Sequence, residues 1–305
     1  MQLQRFASNP IITPALDPRI GTNINGPSLI RVPAWVPNPL GKYYLYFAHH
    51  HGTFIRLAYS DELAGPWRVY GPGTLQLHQT PCTDHIASPD VHVDETSQQL
   101  VMYYHGPALS REAAAADPIT QRFPFLGGQR SFVATSRDGI NFVSQPEILG
   151  VSYLRVFRWQ GYTYALGMPG IFYRSHDGFT NFAQGPICFN ANMRHSALWQ
   201  QGDQLVIFYS EVGDCPEHIK VAQLALTADW QRWQPTAPTS VLLPELPYEG
   251  AGLPLAPSAR GSVEEPARQL RDPAIYQENG RVYLLYSVAG ESGLALAEIT
   301  ALKGE

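Results

Sequence analysis

The 305-residue sequence predicts an all-β chain folded as a five-bladed β-propeller. Three observations predict it. Pairs of short apolar strands joined by polar turns recur down the chain, as in "GPSLIRVP…KYYLYFAHHHG" and "RDPAIYQENGRVYLLYSVAGE". A third strand usually follows, and behind four of these stands an aromatic residue: Trp67, Phe142, Phe182 or Trp233. The unit recurs about every 50–60 residues, as four-stranded propeller blades do.

The strands can be taken in order. Blade one reads "GPSLIRVP", "KYYLYFAHHHG" and "FIRLAYSD", and blade two "SPDVHVDETSQQLVMYYHG" and "SFVATSRDG". Blade three reads "YLRVFRWQGYTYALG" and "IFYRSHDG", and blade four "HSALWQQGDQLVIFYSE" and "HIKVAQLAL". Blade five reads "RDPAIYQENGRVYLLYSVAGE" and "GLALAEI". The Tyr, Phe, Leu and Val in these runs suit a pleated, half-buried surface. Asp138-Gly139 and Asp177-Gly178 are turn signals between third and fourth strands. Blade five has no aromatic fourth strand. "RFASNPII", ahead of blade one, is expected to supply it around residues 5–12, closing the ring and removing exposed edges. Helical propensity is confined to "SREAAAADPITQ", a turn or two in a loop. A single propeller domain over residues 1–305 is the expected organisation.

Composition narrows the function. A charged fraction of 15% and a net charge of −5 give no basic surface, so neither nucleic acid nor an anionic membrane is expected as a partner. No run of about 18 apolar residues exists to cross a membrane. The N-terminus lacks a basic region followed by an apolar stretch, and Cys82, Cys188 and Cys215 are an odd number in unrelated contexts. Free thiols and a cytoplasmic location are expected. Sixteen Tyr, 6 Trp, 26 Gly and 26 Pro suit a turn-rich protein with sugar-like ligands.

In a propeller the innermost strands start around one axis, so residues at their mouths converge. Aligned on the apolar strand, these mouths are Asn25-Gly26-Pro27-Ser28, Ala87-Ser88-Pro89-Asp90, Ser152-Tyr153-Leu154-Arg155, Arg194-His195-Ser196-Ala197 and Arg271-Asp272-Pro273-Ala274. Every blade contributes a polar group. The next strands add His49, His50 and His51, His105 and Glu211 at their ends, and His85 lies just ahead of blade two. The "HHHG" run lacks an HxxH or similar metal-ligand spacing. His49, His51, His85, His105 and His195 are therefore read as pocket lining, and no metal or cofactor is called. Asn25, Arg155, Arg194 and Arg271 are read as further substrate-binding groups.

The openings "NGPSLI", "SPDV" and "RDPAI", each followed by a Tyr-rich strand such as "YYLYF" or "YLLYS", resemble glycoside hydrolase family 43 and its relatives. The resemblance covers essentially the whole chain. It implies a carbohydrate-active enzyme working from the axial pocket, with an Asp base on blade one, an orienting Asp on blade two and a Glu acid on blade three. The chain departs from that plan. Blade one offers Asn25 and no carboxylate, and blade three offers Arg155 with no Glu nearby; only Asp90 lies close to the family pattern.

Carboxylates must then come from Asp272, Glu211, Asp84, Glu249 or Glu291, and two of them roughly 6.5–9.5 Å apart would serve an inverting hydrolase. Asp90, Glu211 and Asp272 are the expected catalytic set. Arg271, adjacent in sequence, is expected to lower the pKa of Asp272 and make it a base or orienter, with Glu211 the proton donor. Three functions stay open: an exo-acting glycosidase on short oligosaccharides, a His/Tyr-dependent lyase on uronate sugars, and a non-catalytic sugar-binding propeller.

Overall fold

The computed structural model describes residues 1–301, with backbone only at Ala301. Strand β1 (Gln2–Arg5) precedes five sheets. Blade one holds β2 (Asn25–Arg31), β3 (Tyr43–Ala48), β4 (Arg56–Ser60) and β5 (Arg68–Tyr70). Blade two holds β6 (Ala87–Asp94), β7 (Gln99–Pro107), β8 (Gln129–Ser136) and β9 (Val143–Ser144). Blade three holds β10 (Arg155–Trp159), β11 (Tyr162–Gly167), β12 (Ile171–Ser175) and β13 (Ala183–Ile187). Blade four holds β14 (Met193–Gln201), β15 (Gln204–Glu211), β16 (Ile219–Ala225) and β17 (Thr239–Leu242). Blade five holds β18 (Arg271–Glu278), β19 (Arg281–Val288) and β20 (Gly293–Ala301), with β1 as its antiparallel fourth strand.

The closing strand lies at residues 2–5 rather than 5–12. Phe6 turns its ring edge onto Tyr283 instead of extending the strand. Ile11 and Ile12 then pair with Leu294 at the inner end of β20. Glu249 fastens the closure. Fully buried, it accepts from Arg5 Nε at 2.7 Å and Nη2 at 3.1 Å, from the Tyr286 hydroxyl at 3.0 Å, and from the amides of Glu245 and Leu246. It is a clasp between the chain start and blade five, not a pocket carboxylate.

Five apolar clusters fill the five interfaces between blades. Trp67 packs between blades one and five, Phe142 between two and one, and Trp233 between four and three. Phe182 lies against the cluster between blades three and two. Each aromatic marker is thus a wedge against the preceding blade, and burying one stabilises by about 1.5–3 kcal/mol. Blade five lacks such a residue because Met1 and Leu3 of the closing strand pack there instead. The helical stretch forms two short helices, α1 (Arg111–Ala116) and α2 (Pro118–Arg122), capped by the Ser110 and Asp117 side chains. The three cysteines are free, and no helix among the described residues is long and apolar enough to cross a membrane.

What positions the site is a feature repeated at the head of every inner strand. In β2, β6, β14 and β18 the pairing register slips between Asn25 and Ser28, Ala87 and Asp90, Arg194 and Ala197, and Arg271 and Ala274. One residue in each slip is left-handed: Gly26 (φ 57°), Ser88 (51°), His195 (51°) and Asp272 (48°). Tyr153 (62°), just before β10, takes the same place in blade three. Left-handed non-glycine residues cost of order 1–3 kcal/mol each, and cluster where surrounding structure holds them for function. At Gly26 a Cβ would sit 2.9 Å from the Ser88 Cα, so that blade brings backbone, not a side chain, to the ring.

Candidate active site

The five left-handed residues form the second column of the strand-mouth alignment, and Ser88, Tyr153, His195 and Asp272 line a cavity of about 120 Å³ at one end of the axis. The fourth column, Ser28, Asp90, Arg155, Ala197 and Ala274, lines a separate opening of about 410 Å³ at the other end. Two residues along a strand is a descent of about 6.6 Å. Arg155 separates the two ends. Its Nη1 donates to Pro89 O at 2.7 Å, its Nε to Ser196 O at 3.1 Å and its Nη2 to Pro27 O at 3.4 Å. One guanidinium therefore satisfies three inner-strand carbonyls and plugs the channel.

This overturns part of the expected constellation. Asp90 lies beyond the plug, accepting from the Val156 amide at 2.9 Å and contacting His92 Nε2 at 2.8 Å and Arg155 Nη1 at 3.3 Å. Burial alone would raise its pKa, but His92, Arg155 and that amide bring it below the usual aspartate value. Asp90 is the anchor of the plug, and it does not share a cavity with Asp272. Glu211 also lies outside, accepting from Asn190 Nδ2 at 2.7 Å and pairing with Lys220 Nζ. His49 turns under its own loop, where its Nδ1 accepts from the His51 amide. Arg155 and Arg271 do not line the cavity.

Asn25, His85, His105, Arg194, His195 and Asp272 do line it, as expected, and His50, Tyr153, Phe125, Arg260 and Glu291 join them. Asp272 is almost fully buried. Its Oδ1 accepts from the Tyr153 hydroxyl at 2.9 Å, and its Oδ2 has no partner. Burial, assisted by the Glu291 charge, pushes its pKa up to about 6. The expected lowering by Arg271 is outweighed because the left-handed turn sends the two neighbours apart. Arg271 instead donates to Glu291 at 3.1 Å and Gln269 at 2.6 Å, and its Nε lies 3.0 Å from Glu217 as a charge pair without hydrogen-bond alignment.

Glu217, fully buried, takes a bidentate pair from Arg194 and a bond from Ser210. Arg194, Glu217, Arg271 and Glu291 thus form one buried chain of alternating charge behind the cavity wall. Burial would raise the Glu291 pKa, but His50, Arg271 and Asn23 pull it down to about 2. Asn25 and Asn23 both donate to its Oε2, and His50 Nδ1 lies 3.5 Å from the same oxygen.

The histidines are held neutral where they are buried. Burial lowers His105 to about 3, and its Nδ1 accepts from the Tyr153 amide at 3.2 Å. Burial and the Arg194 charge push His195 well below its ordinary value, so its 3.3 Å approach to Asp272 is not an ion pair. His51 stands exposed at the rim, with its ring edge-on to His85. His51, Asp84 and His85 place one ligand atom each within 4.8 Å of one another, a two-nitrogen, one-oxygen set of the kind borderline divalent ions accept. Asp84 and His85 already bond each other there at 2.9 Å.

Tyr153 stood in the aligned column, so its position was readable from the sequence. Glu217 and Arg260 lie in irregular segments with no motif, and no sequence signal marked them.

Fold and site together define a five-bladed β-propeller with a cavity of ionisable groups at one end of its axis. Similar solved structures include a glycoside hydrolase from Bacteroides ovatus described as putative in function (14% identity, TM-score 0.64, 99% of this chain and 97% of that one). Another is a family-43 β-xylosidase/α-arabinofuranosidase from a compost microbial metagenome, in complex with xylotriose (13%, 0.62, 99% and 96%). A third is a Cellvibrio cellulosa α-L-arabinanase complexed with arabinohexaose (13%, 0.59, 92% and 93%). No protein-family model matches the chain. It is 35% identical over 332 aligned positions to "Uncharacterized protein R118" of Acanthamoeba polyphaga mimivirus, covering 97% of this chain and 89% of that protein. The chain belongs to the family of that viral protein.

Proposed function

We propose that this protein is a glycoside hydrolase that removes a terminal sugar from short oligosaccharides bound in the axial cavity. The observation that carries the proposal is Asp272: a buried carboxyl on the cavity wall, raised to about 6, with one oxygen free of any protein partner. A carboxyl so placed is protonated in weakly acidic water and can hand its proton to a leaving glycosidic oxygen.

The second carboxylate of the cavity is Glu291, held ionised, with His50 Nδ1 3.5 Å from its Oε2 and both residues on the lining. Environments that drive two carboxyls apart in pKa mark the acid and its counterpart. His50, oriented by Glu291, is the group that takes a proton from the attacking water. Phe125 and Tyr153 supply ring faces against which a sugar can pack. The Arg155 plug supports exo action, because the channel is closed behind the cavity and a chain can enter only by its end. At about 120 Å³ the cavity is also small beside the roughly 300–1,000 Å³ of common ligand sites.

Tyr153 is not placed to act as the base of an elimination. Burial and the Asp272 charge hold the Tyr153 hydroxyl protonated, as a donor rather than a base. The test is reducing-sugar release from a panel of short oligosaccharides and aryl glycosides, wild type against Asp272→Asn. A loss of about 10²–10⁴-fold is expected. Oligosaccharide binding with no turnover on any member would make the protein a sugar-binding propeller, and full turnover by Asp272→Asn would remove the assigned acid.

A further inference from the structure

Four arginines stand on or beside the axis, and three of them have carboxylate partners. Arg155 meets Asp90, Arg194 meets Glu217, and Arg271 meets Glu217 and Glu291. Arg260 is the exception. Among the described residues no carboxylate lies within 4 Å of it, although Arg260 is among the residues that line the cavity. Its Nη2 donates to Ala191 O at 2.9 Å, while its Nη1 is buried with no partner at all.

The position is built rather than accidental. The guanidinium lies 3.7 Å over the Phe125 ring, which fixes its plane. The segment that carries it, between β17 and β18, is pinned on both sides: Ser258 N donates to Asp214 O, Gly213 N to Ser258 O, and Leu270 N to Glu217 O. Arg194 and Arg260 line the same cavity, and burial, followed by the Arg194 charge, lowers the Arg260 pKa. A buried N–H of a charged group without an acceptor is costly, and a second cation nearby adds to the cost. An anion entering the cavity relieves both.

We infer that the sugar taken by this cavity carries a carboxylate, a terminal hexuronate whose planar anion accepts from Arg260 beside Arg194. The chemistry follows from the count of charges. With Asp272 protonated as the acid form requires, one guanidinium is unbalanced, which matches a single negative charge. A dianionic phosphate ester would exceed that and stand close to Glu291. A guanidinium fork pairs best with a planar two-oxygen partner. This inference rests on the cavity being a sugar site, but not on its being hydrolytic.

The experiment compares matched disaccharides with a glucuronate or galacturonate terminus against the glucose or galactose forms and a sulfated form. Calorimetry measures binding, and reducing-sugar assays measure turnover, for the wild type, Arg260→Lys and Arg260→Ala. The wild type is expected to prefer the uronate by about 10- to 100-fold, a ratio of the size one charge-assisted contact supplies. Arg260→Ala should collapse that ratio and weaken its salt dependence, with Arg260→Lys between. The ratio in the wild type alone decides the matter if neither variant folds. Equal binding of uronate and neutral sugars, a stronger preference for the sulfated sugar, or an undiminished ratio in Arg260→Ala would overturn the inference. Asp272-dependent hydrolysis of neutral sugars without a uronate preference would sink this inference and leave the hydrolase reading standing. Uronate binding without turnover of any sugar would do the reverse.

Discussion

Asp272→Asn should make the protein more stable while disabling it, and the size of the gain depends on pH. In the folded chain the carboxyl is raised from the ordinary 3.8 to about 6, chiefly by burial. Below about pH 4 it is protonated whether the chain is folded or not, and it costs nothing. Between about 4 and 6 the unfolded chain ionises first, so stability is lost as pH rises through the folded-state value. Each pKa unit is worth about 1.4 kcal/mol, so a rise of roughly two units predicts a penalty of ~3 kcal/mol at neutral pH. Solvent screening takes little from this, because the side chain is almost wholly enclosed. Asn carries no charge and keeps an acceptor for the Tyr153 hydroxyl. The variant should therefore equal the wild type near pH 3, exceed it by ~1 kcal/mol at pH 4.5 and by ~3 kcal/mol at pH 8, with turnover down about 10²–10⁴-fold. Urea unfolding midpoints across that pH range, beside sugar release, measure both. A stability difference that does not grow between pH 4.5 and 8 would refute the reasoning, since no other term changes sign in that window.

Two further outcomes follow from placements the structure fixes. Glu249→Gln removes the charge that holds Arg5 and should cost about 3 kcal/mol, the low end for a buried pair because Arg5 keeps 19% of its side chain exposed; an unchanged melting temperature would show that β1 closes the ring without its clasp. Glu211→Gln should leave kcat/KM unchanged and cost no more than about 1 kcal/mol, since it breaks only a half-buried pair with Lys220 outside the cavity; a large loss of turnover would return Glu211 to the site.

The fold was legible because its physics repeats. Each blade spends four strands on the same burial problem, and Trp67, Phe142, Phe182 and Trp233 recur because each blade needs a wedge against its neighbour. The closing strand lies elsewhere than expected because "QLQR" holds a single apolar residue, whereas Ile11 and Ile12 look like a strand but bridge only Leu294 and pack into the core between blades one and five. At the site, aligning the strand mouths found the right column but not its facing. Asp90 and Asp272 are both polar residues at strand heads, yet they stand two residues apart in register, with the Arg155 guanidinium between their cavities. Arg271 and Asp272 show the same lesson at closer range. Adjacency in sequence suggests mutual influence, but the left-handed turn at Asp272 sends one side chain into a buried ion network and the other to the cavity. Arg260 and Glu217 could not be found this way, because irregular segments carry no period from which a facing can be read.

Blade one has no side chain in the column that holds Asp272 in blade five, and that too has a physical reason. At Gly26 the backbone has φ 57°, and a Cβ would stand 2.9 Å from the Ser88 Cα and 3.1 Å from its Oγ. Neighbouring backbone, not the far end of a flexible side chain, occupies that space, so it cannot swing away. Blade one therefore approaches blade two too closely to present a side chain from position 26, whereas the matching position of blade five carries the buried carboxyl of Asp272. It follows that Gly26→Asp will not add a catalytic base. The left-handed conformation alone costs a non-glycine residue of order 1 kcal/mol or more, and the contact with Ser88 adds to that. The new charge would also enter a cavity that already holds Glu291 and Asp272, raising Asp272 further. The variant is expected to melt lower and to turn over more slowly, with its acid limb displaced upward in pH. A Gly26→Asp protein that melts with the wild type and works faster would mean that the two blades have slack at the axis, and that Gly26 is not a consequence of their packing.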